Sequence, residues 1–189
     1  MGVALAEEAR SRGAEVTFVA ANLAVPAPGG VELVSAPTAA DVEREVLDRS
    51  AGVDVVVMAA AVADYRPAEV VAGKRGKDGG AWTLELEPTT DVLHALGERE
   101  DGPLLVGFAA ESGGGIERAR QKLTDKQVNL VVFNDVSRED IGFDSEENEV
   151  TLIGRGGERR VDKAPKRAVA GAILDEVARL LEEADGRGR

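Results

Sequence analysis

The chain has no cysteine, which excludes both a disulfide framework and a thiolate metal site and agrees with a cytosolic protein. It has a single histidine, His94, set in a stretch of helical character. His94 reads as a partly buried structural residue rather than a base, so a histidine-centred catalytic triad has no support. Basic charge is scarce: 23 Lys and Arg stand against 35 Asp and Glu, a net charge of −12. A general nucleic-acid or anionic-membrane surface is therefore not expected, because phosphate attraction needs clustered cations. No apolar run approaches the roughly 18 residues of a membrane span. The opening residues carry Glu7 and Glu8 and lack a signal layout. Ala6 stands where a myristoylation signal wants Ser or Thr. The glycine fingerprint G-x-G-x-x-G is missing near the start, and the chain opens on a helix where doubly wound domains open on a strand.

What is present is an alternation. With 189 residues, 43% hydrophobic and 31% charged, the chain has the length and balance of one globular domain, taken here as 1–184 with a polar tail at 185–189. Val3 to Arg12 reads as a helix stopped by Gly13, followed by strands at 15–20 and 31–34 and a helix at 39–48. Val53-Asp54-Val55-Val56-Val57-Met58 is an apolar β-branched run that reads as a buried parallel strand. Further strands are expected at 82–87, 104–108 and 130–133, with helices from Val92 and from the glycines at 113–115 through Lys126. A hairpin around 154–157 and a last helix opened by Pro165 complete the chain, with Val169, Ile173, Val177, Leu180 and Leu181 as that helix's core stripe. The fold class is α/β: a Rossmann-like, mostly parallel sheet with helices on both faces plus a C-terminal β-hairpin and helix.

The organising stretch is Ala59-Ala60-Ala61-Val62-Ala63-Asp64-Tyr65-Arg66-Pro67. Alanines at the end of a buried strand leave space at the edge where open α/β sheets bind ligands. They can floor a site for a flat ligand, or they can simply let a helix approach closely. Arg118, Lys122 and Lys126 recur at steps of four and share one helix face. That stripe suits a bound polyanion, and it equally suits a solvated face paired with scattered acids. Lys74 and Lys77 lie in a Gly- and Lys-rich stretch at 66–80 that reads as a mobile loop, able to close over a negatively charged leaving group or merely exposed. Three strands ending near Ala60, Phe108 and Asn134 would open at the same edge. A crevice there would gather an aromatic ring, small residues, a carboxylate and cations, and a nucleoside triphosphate with its metal would suit it. Asp64 and Asp91 could each hold a ribose hydroxyl or a metal, with helix capping an equal account of Asp91. Tyr65 and Trp82 read as packing or flap residues. Asn134-Asp135 reads as crevice floor or turn.

Taken together, these segments resemble the bacterial phosphopantothenoylcysteine synthetases. Ala59-Ala60-Ala61-Val62-Ala63-Asp64-Tyr65-Arg66 resembles the family's A-A-V-A-D-Y motif. Gly107-Phe108-Ala109-Ala110-Glu111, Ala119-Arg120-Gln121-Lys122 and Asn134-Asp135-Val136 match further motifs in order. The resemblance implies a dimerising Rossmann-like domain in the cytoplasm. It implies CTP-dependent joining of 4′-phosphopantothenate to L-cysteine through an acyl-cytidylate, with Mg²⁺ accompanying CTP and no flavin. It implies that Ala59 and Ala60 line the cytidine site and that Asp64 binds the nucleotide. Lys74 would be the flap lysine needed for activity. Thr90, Asp91, Val92 and Leu93 would form a nucleotide-binding turn. Phe108 would lie against the cytidine, and Lys122 and Lys126 would bind the nucleotide; Arg118 receives no role, and no metal ligand is assigned. The family's K-I-K-K flap appears as Lys74-Arg75-Gly76-Lys77 and its N-P-D turn as Thr89-Thr90-Asp91. The segment N-x-S-S-G-K, which precedes the family's M-G, is expected upstream of Met1, so the chain reads as an N-terminally truncated domain. Two other readings are an NAD(P)-dependent reductase or epimerase, and a nucleotide-binding fragment without turnover.

Overall fold

The computed structural model describes residues 1–70, 72–74, 76, 80–111, 115–137 and 145–187. Five strands form the main sheet in the order β3 (Val55–Met58), β6 (Leu104–Glu111), β7 (Leu130–Asp135), β8 (Glu147–Gly154) and β9 (Gly157–Pro165). The first three run parallel, and β8 and β9 return as an antiparallel hairpin. Strands β1 (Thr17–Ala20) and β2 (Glu32–Ser35) make a separate parallel pair. A short antiparallel ribbon joins β4 (Tyr65–Pro67) to β5 (Leu86–Pro88).

Alternation along β6 and β7 divides the interior into two layers. Leu104, Val106, Leu130 and Val132 face α1 (Gly2–Ser11) and α5 (Lys166–Arg187). Leu105, Ala109 and Val131 face α3 (Val92–Gly97) and α4 (Ile116–Asp125). On α5, Val169, Ile173 and Val177 are buried as their spacing predicts, with Leu180 and Leu181 packed beside them. A network in which Arg12 meets Glu8 at 3.0 Å and Asp175 at 2.8 Å ties α1 to α5. Helix α2 (Ala39–Arg49) opens with a reciprocal capping box between Thr38 and Asp41.

Five expectations change. Strand β3 is only half-buried along its length, because it pairs with β6 on one side and with no described strand on the other. The strand expected over 82–87 shrinks to Leu86–Pro88, while 81–85 carry no regular structure. An alternating segment needs a layer to cover its apolar face, and Trp82 and Leu84 stay exposed at 59% and 49%. Two of the three residues of its partner β4, Arg66 and Pro67, fall inside the stretch read as loop. The hairpin, by contrast, is longer than expected, turning at Arg155 and Gly156, and α5 runs on through Asp185 to Arg187.

The layering predicts that Ile173→Ala, which empties a fully buried site, costs about 2–5 kcal/mol in urea unfolding. Leu33→Ala, at a position 54% exposed, should stay within about 0.5 kcal/mol of the parent.

Candidate functional site

The register of the parallel strands sets the site. Met58 on β3 and Val131 on β7 both pair with Gly107 on β6, so Ala59, just past the end of β3, is level with Phe108 and Val132, while β6 and β7 run on to Glu111 and Asp135. Gly107 points toward α3 and α4 without a side chain. A Cβ there would come within 2.7 Å of Leu93 Cδ2. The space it leaves is a hollow of about 20 Å³ lined by Leu93, Gly107, Phe108, Lys122, Lys126, Val128 and Val131, room for about one water. The other residues that line it are apolar, and the two lysines come from the last turn of α4 and its C-cap.

Both lysines are held by carboxylates. Lys122 Nζ lies 3.3 Å from Glu111 Oε1 at the end of β6. Lys126 Nζ lies 2.8 Å from Asp91 Oδ2. Asp91 is also the N-cap of α3, its Oδ1 accepting from His94 N–H at 3.1 Å. Partial burial pushes the Asp91 carboxyl up, but the Lys126 ammonium and the His94 N–H together hold it below its ordinary value. At the other end of α3, a Cβ on Gly97 would collide with the carbonyl oxygen of Lys126. Glycine at 97 therefore allows the close approach of α3 and α4 that places Lys126 beside Asp91.

A second set of contacts brings the organising stretch to the same place. Thr89 Oγ1 donates to the Ala63 carbonyl at 2.6 Å, and Thr89 N–H donates to the Asp64 carbonyl at 2.9 Å. The ribbon continues this zipper, with Tyr65 opposite Pro88 and Arg66 Nε 2.7 Å from Glu87 Oε1. Asp64 is thus fixed next to the Thr89-Thr90-Asp91 turn, and Asp91 reaches Lys126 at the hollow. Asp64, Thr90 and Ala60 are exposed.

The remaining residues divide. Leu93 and Phe108 line the hollow, and Phe108 also packs with Ala59 against the α1–α5 layer. Val92, 2% exposed, has its side chain committed to the core. Lys74 is exposed in the connector from β4 to β5. No contact among the described residues ties it to the hollow. Arg75, Lys77 and the glycines at 113 and 114 lie outside the described residues. Arg118, without a role in the sequence reading, pairs with Glu111 at 3.1 Å. Asp135 Oδ1 accepts from Ser137 N–H and Oγ–H, the turn role allowed for it, while Asn134 Oδ1 is buried without a partner. His94 keeps a partly exposed structural place on α3, 3.6 Å from Glu98. Sequence reasoning passed over Gly107 and Glu111 as site residues. Their roles depend on which strand lies beside which helix, and spacing along the chain does not carry that.

The whole length resembles known proteins. Residues 1–181 match the model for the DNA/pantothenate metabolism flavoprotein C-terminal domain. The chain is 38% identical over 189 residues to the coenzyme A biosynthesis bifunctional protein CoaBC of Bacillus subtilis (strain 168), covering 99% of this chain and 47% of that protein. It is 34% identical over 191 residues to the CoaBC of Escherichia coli (strain K12), again covering 99% and 47%. The chain therefore spans about half the length of the curated relatives it matches. The crystal structure of the C-terminal domain of a CoaBC superposes with a TM-score of 0.79 at 36% identity, covering 96% of this chain and 82% of that one. A Cab2 mutant in complex with phosphopantothenate-cysteine shares the fold at 15% identity, with a TM-score of 0.72 and coverage of 98% and 78%.

The Asp91–Lys126 pair gives a pH-dependent prediction. A carboxyl held low in the folded state adds stability above its unfolded pKa of about 3.9, and that contribution disappears as the pH falls through the folded value. Asn still caps α3 but cannot hold Lys126. Urea unfolding of Asp91→Asn should show a deficit under about 1 kcal/mol, because the pair is partly exposed. The deficit should be constant from about pH 5 to about pH 8 and close below about pH 4.

Proposed function

The chain belongs to the DNA/pantothenate metabolism flavoprotein C-terminal domain family, and from that premise we propose that it joins 4′-phosphopantothenate to L-cysteine at the expense of CTP. The observation that carries the proposal is the hollow left at Gly107 of β6, level with the carboxyl end of β3. It has an apolar floor beside Phe108, a mouth formed by Lys122 and Lys126, and the Asp64 and Thr89-Thr90-Asp91 segments zipped alongside. The likeness over nearly the full chain to the C-terminal domain of CoaBC, a coenzyme A biosynthesis protein, supports this reading, and the Cab2 structure that shares the fold holds phosphopantothenate-cysteine.

A carboxylate is a poor acyl donor. In the proposed reaction an oxygen of the phosphopantothenate carboxylate attacks the α-phosphorus of CTP, and the bond to pyrophosphate breaks. The cysteine amine then attacks the acyl carbon of the acyl-cytidylate, CMP leaves with the bonding electrons, and the amine loses a proton as the amide forms. The chain's part is to align carboxylate and phosphorus and to neutralise the departing phosphates. Ala59, Ala60, Leu93 and Phe108 line the pyrimidine and ribose. Asp64 and the Thr90–Val92 backbone hold the nucleoside end. Lys122 and Lys126 take phosphate oxygens, and Lys74 closes over the pyrophosphate. Among the described residues no group of three acidic or histidine side chains could cage a metal ion. Mg²⁺ fits as the partner of the nucleotide's own phosphates, whose charge it offsets. We assign no flavin chemistry to this domain.

Tyr65, Trp82 and Leu86 stand exposed at 61%, 59% and 53% on or beside the β4–β5 ribbon. Exposed apolar side chains on so short a ribbon suit an association face, and the proposed occupant is a second copy of the chain. No helix among the described residues is long and apolar enough to cross a membrane. The cytoplasm is the proposed location.

Two assays test this. Purified protein given CTP, Mg²⁺ and 4′-phosphopantothenate should release pyrophosphate, with CMP following only when cysteine is added. Lys74→Gln should lower pyrophosphate release by about 100-fold with the CTP Kd nearly unchanged. CTP binding without any release would leave a nucleotide-binding module. Tight NADPH binding with none of CTP would replace the proposal by a reductase. Sedimentation equilibrium should give a dimer that Leu86→Asp converts to monomer; a parent protein sedimenting as monomer would remove the association face.

A further inference from the structure

The end of β6 places one carboxylate between two cations of α4. Glu111 Oε2 lies 3.1 Å from Arg118 Nη2, and Glu111 Oε1 lies 3.3 Å from Lys122 Nζ. Arg118 and Lys122 are one helical turn apart, a spacing at which like charges repel. Glu111 is 22% exposed at its side chain, less than either partner at 65% and 35%. Gly115, the N-cap residue of α4, lies so close that a Cβ on it would collide with Glu111 Cβ.

We infer that Glu111 is a positioning residue, holding Lys122 at the mouth of the hollow in the place where a nucleotide phosphate arrives. The inference rests on the nucleotide reading above and adds a residue to it. A lysine has about 2 kcal/mol of rotamer entropy to lose when it is fixed. Beside an uncompensated Arg118, Lys122 would turn into solvent and would have to be recovered at each binding event. With Glu111 between them, the ordering is done before the ligand comes. An ammonium has three donors, so Lys122 can keep its contact with Glu111 and offer two to phosphate oxygens. The trio of Glu111, Arg118 and Lys122 retains a net charge of one positive unit, so the mouth of the hollow still attracts an anion. This also gives Arg118 its place as the second anchor of the same carboxylate.

Calorimetric titration of the full chain with CTP and Mg²⁺ tests the inference. Glu111→Gln should raise the Kd about fivefold, the upper range for a partly exposed ion pair. Gly115→Ala, which preserves every charge but displaces Glu111, should raise it in the same direction. In a Lys122→Met background, adding Glu111→Gln should change nothing further, because the residue acts through Lys122. Melting temperatures of the variants serve as the control for folding. An unchanged or tighter Kd in Glu111→Gln would overturn the inference while leaving the nucleotide reading intact. So would an equal loss in the Lys122→Met background, which would mark a purely structural role. No CTP binding by the parent protein would overturn both.

Discussion

Strand β6 lies between two parallel neighbours and buries both of its faces, and this double burial sets the rest of the structure. Leu104 and Val106 anchor the α1–α5 layer, while Leu105 and Ala109 anchor the α3–α4 layer. A strand of this kind fixes register strongly, because a slip of one residue would exchange every side chain between the layers. Register in turn places Gly107 where a side chain is missing, opens the hollow beneath Leu93, and ends the strand with Glu111 at the foot of α4. The crevice is thus a product of core packing before it is a product of any polar residue.

The charged part of the site follows a different logic. Exposed ion pairs contribute little to stability, and Asp91–Lys126 and Glu111–Lys122 need not be judged by that measure. Their effect is on where two ammonium groups sit. Each lysine of α4 is held by an acid from a different neighbouring element, one from α3 and one from β6. A chain with a net charge of −12 thereby keeps a small cationic mouth at one edge of its sheet. Local arrangement, not overall charge, decides what such a surface attracts.

Much of this was legible in the sequence, and the limits are physical. The apolar runs at 55–58, 104–106 and 130–132 announced parallel strands, and the 3.6-residue stripe of α5 announced its buried face. Asp91 as a cap and the shared face of Lys122 and Lys126 followed from local rules. Strand β4 and the shortness of β5 did not, because a ribbon with no described layer over it lacks the burial pattern that marks strands. The half-burial of β3 was equally hidden: Val55 to Met58 have the composition of a central strand, and only the pairing shows one open side. Gly107 stayed silent because its neighbours Met58, Leu93 and Val131 lie in other elements. Glu111 did so because its pairing with Arg118 and Lys122 runs from a strand end to a helix, which no helical or strand spacing announces.

The central claim is that a pyrimidine nucleotide binds over the hollow beside Gly107 and Phe108 with its phosphates toward α4. A crystal structure of the chain with CTP and Mg²⁺ bound measures this most directly. The account predicts the pyrimidine ring against Phe108 and Leu93, and phosphate oxygens within hydrogen-bond reach of Lys122 and Lys126. A nucleotide seated elsewhere on the sheet, with Lys126 still on Asp91 and the hollow unchanged, would contradict it.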